Sequence, residues 1–157
     1  FYERLVDQCG ATFTGSTVFP AEPGEAWKDQ VLVARVETCN ADEVRIPLSV
    51  GEDRSRTWIL RRVKGGLQLK HDHRHADGTP DEISNYGGLT REPGTALSQS
   101  FPADDHTAEL IPEAATNEWF LSFSEDGSEL TYYLERHGNP RFKAVLTRDQ
   151  GETPGRR

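Results

Sequence analysis

The chain has no methionine, and only two of its 157 residues are cysteine. Positive charge is scarce as well: 18 Lys and Arg stand against 26 Asp and Glu, a net charge of −8. A surface this acidic repels a phosphate backbone, so nucleic acid is not an expected partner. No apolar run approaches the roughly 20 residues that a membrane-crossing helix needs, so no such span is expected. The two cysteines, Cys9 and Cys39, lie thirty residues apart, which is not a metal-knuckle spacing. There is no G-x-S-x-G elbow, no glycine-rich phosphate loop and no H-E-x-x-H. Catalysis therefore has little support in the sequence.

What is present is patterned. Hydrophobic residues make up only 34% of the chain, with a mean hydropathy of −0.70, yet they recur with clear periods. That argues against global disorder and for one domain over residues 1–149, with 150–157 as a flexible tail. The chain starts at Phe1, which reads as the result of an initiator or signal segment having been removed, so a periplasmic or secreted protein is expected. In that compartment Cys9 and Cys39 would pair as a disulfide.

FYERLVDQC places Tyr2, Leu5, Val6 and Cys9 on one face of a short helix, suited to closing one end of a fold. The period then changes to two. Strands are predicted at 11–19, 30–39, 43–50, 55–63 and 67–75, then in DEISNYGG, ALSQSF, NEWFLSFS, ELTYYLER and RFKAVLTR. In EVRIPLSV, Val44, Ile46, Leu48 and Val50 share a face, while Pro47 marks an edge or a bulge. Gly65 and Gly66 suit a two-residue hairpin turn, which would pair Leu60 with His71, Trp58 with His73 and Arg56 with His75. A three-residue turn would set Thr57 and Ile59 against the histidines instead. DDHTAELI reads as one helical turn capped by Asp104 or Asp105. About ten short strands joined by tight turns predict an all-β fold: an up-and-down antiparallel β-barrel with a short N-terminal helix and one mid-chain helical turn.

This layout resembles the calycin group, the lipocalin, fatty-acid-binding and nitrobindin type of barrel. The stretches KHDHRHADGTPDE, YGG (86–88) and FPAD (101–104) also resemble a family of uncharacterised exported bacterial proteins. The calycin resemblance implies an interior cavity for a small, usually apolar ligand. Nitrobindin-like barrels hold haem through a histidine of the final strand. RFKAVLTR has none, and His137 lies in the turn before it, so haem is not expected. The Gly-x-Trp of lipocalins is also missing from the first strand, which offers Phe13-Thr14-Gly15-Ser16.

The sharpest feature is HDHRH. His71, His73 and His75 continue the face of Leu67 and Leu69, which predicts an inward direction. Gln68, Lys70, Asp72 and Arg74 form the opposite, solvent-facing side. The neighbouring basic run reads as a solvated face balanced by Asp72, Asp77, Asp81 and Glu82, with Arg56 the exception. Three readings of the histidine face compete. In the leading one, Arg56, Trp58, His71, His73 and His75 line a pocket for a small amphipathic or anionic organic ligand. In the second, two of the three histidines bind zinc or copper, with His106, His137 or a carboxylate completing the site, in a metal-binding protein or metal-dependent enzyme. His73 or His75, supported by Asp77 or the metal, would then be the base. In the third, the histidines are a hydrogen-bonded polar lining without a ligand. From another class, an interaction module would use strand edges or the YGG loop to hold a protein partner.

Overall fold

A computed structural model describes residues 1–20, 23–24 and 27–151. All but the first two residues of the 150–157 tail lie outside the described residues. Among the described residues the chain forms helix α1 (Tyr2–Asp7), strands β1 (Thr12–Phe19), β2 (Leu32–Arg35), β3 (Glu37–Cys39), β4 (Glu43–Val50), β5 (Asp53–Val63), β6 (Gly66–His73), β7 (Tyr86–Leu89) and β8 (Ser98–Pro102), helix α2 (Asp105–Leu110), and strands β9 (Asn117–Phe123), β10 (Glu129–Arg136) and β11 (Asn139–Arg148).

The strands form one antiparallel sheet in the order β7-β6-β5-β4-β2-β1-β11-β10-β9-β8, with β3 added against β4. Apart from β2 and β3, which follow one another along β4, and the two ends β7 and β8, successive strands pair, and the last strand pairs with the first, so the predicted up-and-down barrel is what forms. One seam remains, between β7 and β8. There the strands meet through a bridge from Gly88 to Ala103 and a hydrogen bond from the Asp104 N–H to the Gly87 carbonyl. A Cβ on Gly87 would run into the Leu69 carbonyl, and one on Gly88 into the carbonyls of Phe101 and Pro102. Only glycine lets the backbones approach this closely.

Alternation fills the interior. Val44, Ile46, Leu48 and Val50 of β4 are all buried, facing Phe13, Leu32, Leu60, Leu69, Leu121, Leu130 and Leu146 across the core. α1 closes the lower end of the barrel, as its apolar face predicts. The Tyr2 hydroxyl donates to the Asn40 carbonyl at 2.9 Å, and Arg62 lies over the Tyr2 ring at 4.5 Å. The Cys9–Cys39 disulfide ties the end of this plug to β3. No helix among the described residues is long and apolar enough to cross a membrane.

Four local expectations are corrected. The 30–39 strand is broken at Val36, whose backbone turns to bond Ala11 and Gly10 instead of continuing the β4 ladder. Of the two readings of Pro47 the edge fails, because β4 is flanked on both sides, while an irregularity does lie beside it: the ladder to β5 shifts register between Leu48 and Val50. Pro47 lies between the pairs Ala34–Leu48 and Glu37–Arg45, opposite that break, where no ladder partner needs its missing N–H. The β5–β6 turn is Lys64-Gly65, closed by the pair Val63–Gly66, so every cross-strand pair shifts by two: Leu60 meets Leu69, Trp58 meets His71, Arg56 meets His73. A slip of two keeps each side chain on its face, so the predicted inward set survives. Lastly, the outer face of β6 is not all solvated. Lys70 is only 6% exposed, covered on the α2 side, with its ammonium 2.6 Å from the Asp104 carboxylate that also caps α2.

Candidate functional site

The upper end of the barrel is where β1 finishes, β5 starts, β6 finishes, β7 and β9 start and the β10–β11 hairpin turns. HDHRH runs out through this end, so its three histidines sit in three different environments. His71 is inside and 7% exposed. His73 is at the rim, half-buried. His75 lies beyond the last ladder pair of β6, with its side chain 55% exposed and its Nδ1 3.8 Å from Asp81. The expected inward direction therefore fails for His75: β6 ends at His73, and Arg74 instead bridges to Pro80.

His71 has both ring nitrogens engaged. Nδ1 is 3.0 Å from the Tyr86 carbonyl, which can only accept, so Nδ1 carries the proton. Nε2 is then the acceptor for the Tyr132 hydroxyl at 2.9 Å. The ring stacks on Tyr86 at 4.7 Å and leans on Trp119 at 5.1 Å. Burial pushes the His71 pKa down to about 4; the bond to the Tyr86 carbonyl opposes this, while the charges of Lys70 and Arg56 add to it. His71 is neutral in the folded protein. Burial also raises the phenol of Tyr132 well above its ordinary range.

Trp58, directly opposite His71, is 3% exposed and stacks flat on Tyr132 with ring centres 4.8 Å apart. Trp58, His71, Tyr86, Trp119 and Tyr132 thus fill the barrel at this level. Open space begins above them, in a cleft of about 420 Å³ lined by Pro20, Pro23, Gly24, Trp27, Tyr132, Leu134, Arg141 and Phe142. Trp27 reaches across the mouth. It meets Phe142 edge-on at 5.2 Å, and the Arg56 guanidinium lies 5.4 Å from its ring centre. Arg56 also pairs with Asp53 at 2.7 Å, so its charge is partly met. Arg141 is exposed and has no ion-pair partner among the described residues.

Of the five residues selected from the sequence, Trp58 and His71 support the cleft floor from beneath, through Tyr132. Arg56 reaches its wall through Trp27. His73 and His75 stand on the rim nearer Asp81. The residues that sequence reasoning did not select for the site are Trp27 and Arg141. Trp27 follows a Pro/Gly-rich turn, a large aromatic in an otherwise polar loop, which was the available signal. Arg141 carried no signal of its own.

The second reading finds no geometry to support it. Among the described residues no three His, Cys, Asp or Glu side chains are grouped to hold a metal ion, and both His71 nitrogens are already committed. Asp77 does not reach the histidines, since its carboxylate accepts from the backbone N–H and hydroxyl of Thr79 in its own turn. The basic run finds other partners than those expected. Arg61 and Arg45 share Glu43, and of the four acids named only Asp72 takes a partner from the run, Arg74. No protein-family model matches the chain, and no curated protein matches it.

Proposed function

We propose that this barrel binds a small amphipathic anion at its upper mouth, and that it does so in an exported protein. The observation that carries the reading is the cleft itself: aromatic and aliphatic walls from Trp27, Tyr132, Leu134 and Phe142, with the Arg141 guanidinium, which has no ion-pair partner among the described residues, at the edge. Apolar walls take a hydrocarbon or aromatic body, and an always-charged guanidinium fork takes a carboxylate or sulfonate. The disulfide supports the compartment, because such bonds persist in oxidising surroundings.

The test is a melting-temperature screen with decanoate, naphthalene-2-sulfonate, zinc and copper, followed by tryptophan fluorescence. The organic anions are expected to raise the midpoint and perturb Trp27 emission, and the metals to do neither. A response to metals alone, abolished in His73→Ala, would return the site to the histidines.

A further inference from the structure

His71 does not line the cleft, yet it holds the hydroxyl of Tyr132, which does. Tyr132 lines the cleft with its ring, while its hydroxyl points into the core and donates to His71 Nε2. That donation is possible only because Nδ1 keeps its proton on the Tyr86 carbonyl, leaving Nε2 as a bare acceptor. The stack on Tyr86 fixes the imidazole plane. The Tyr132 ring is clamped in turn, flat against Trp58 at 4.8 Å and edge-on to Phe142 at 5.9 Å. A buried hydroxyl deprived of its acceptor does not stay in place, because an unpaired buried donor is costly and turns toward any partner or water it can reach. Tyr132 lines the cleft, so water there is one such partner.

We propose that His71 is the positioning residue of the ligand cleft: by accepting the Tyr132 hydroxyl it keeps the phenol turned inward and the floor apolar. The proposal rests on the cleft being the ligand site. It narrows the ligand class to amphiphiles whose only required polar contact is the anionic end at Arg141, because the floor offers a ring and not a hydroxyl.

The test is a double-mutant cycle on naphthalene-2-sulfonate affinity, measured by calorimetry at neutral pH with near-UV circular dichroism as the folding check. His71→Phe and Tyr132→Phe each remove one half of the bond. His71→Phe, which strands the hydroxyl, is expected to weaken binding about tenfold; Tyr132→Phe, which keeps an apolar ring in the floor, is expected to bind within about threefold of the unchanged protein, and the double variant to recover to that level. His71→Gln, whose amide oxygen can still accept, is expected to restore affinity to within about threefold of the unchanged protein. If His71→Phe fails to fold, His71→Gln takes its place, and a tenfold loss there overturns the proposal. Equally contrary are a double variant as weak as His71→Phe, or no loss in His71→Phe: either would mean that His71 does not act through the Tyr132 hydroxyl. If the unchanged protein does not bind the probe at all, the ligand reading fails and this proposal fails with it, an outcome distinct from binding that ignores His71.

Discussion

Adding a proton to His71 would reverse its bond to Tyr132, turning the hydroxyl from donor to acceptor inside the core, and the charges acting on the ring, Lys70 and Arg56, are themselves positive. The consequence for stability has a definite sign. The unfolded chain takes up this proton near pH 6.5, but the folded chain only near pH 4. Stability present above the first value is therefore lost as the pH falls toward the second, on the order of 3 kcal/mol in all. Urea unfolding from about pH 7 to about pH 4 should show this loss in the unchanged protein and much less of it in His71→Gln. Parallel curves for the two proteins would mean that His71 is not held neutral by the fold. Its inward direction was readable from strand alternation alone. Its partners were not, because Tyr86 and Tyr132 are 15 and 61 residues away in sequence and reach it only once the barrel closes. Lys70 shows the same limit: alternation places it outside correctly, but α2 folds over that face and turns an exposed cation into a buried one.

Among the elements, the β7–β8 seam is the weakest closure and depends on Gly88. Replacing it with Ala would drive a methyl into the backbone of Phe101 and Pro102, neither of which can swing aside. Gly88→Ala should cost about 1–3 kcal/mol in urea unfolding, a typical penalty for overpacking at a rigid contact. Gly24→Ala is the control, since nothing lies within 4 Å of the added carbon, and it should change stability by no more than about 0.5 kcal/mol. An unaffected Gly88→Ala would show the seam to be loose. α1 and most strands were legible in the sequence, and Asp104 was one of the two caps read for α2, although of DEISNYGG only the end from Tyr86 onward forms a strand. The hairpin register was not, because Lys64-Gly65 and Gly65-Gly66 both make acceptable two-residue turns and give the same inward face. The break at Val36 was equally hidden, since its cause is a bond to Ala11 on another part of the chain.

At the scale of the whole molecule, the barrel is closed at its lower end by α1 and open at its upper end, and the Cys9–Cys39 bond fixes the plug to the wall. It closes a loop of 30 residues, for which the chain-entropy model gives about 3–4 kcal/mol. A Cys9→Ser, Cys39→Ser variant should unfold at correspondingly lower urea, and reductant should move the unchanged protein to the same midpoint. No change in either would leave the plug held by its noncovalent contacts, among them Tyr2 with Asn40, Phe1 with Phe123 and Arg4 with the Glu125 carbonyl. The architecture was readable because each strand pairs with a neighbour in sequence. The cleft was not: Trp27 and Arg141 come from opposite ends of the chain and meet only because β11 returns to pair with β1. The most direct measurement is calorimetric titration of naphthalene-2-sulfonate into the unchanged protein, Arg141→Ala and Arg54→Ala. Binding near one to one that Arg141→Ala weakens about tenfold or more, and that Arg54→Ala on the exposed start of β5 leaves alone, is the predicted result. Equal binding by all three, or none by any, would contradict an anion site at the mouth of this barrel.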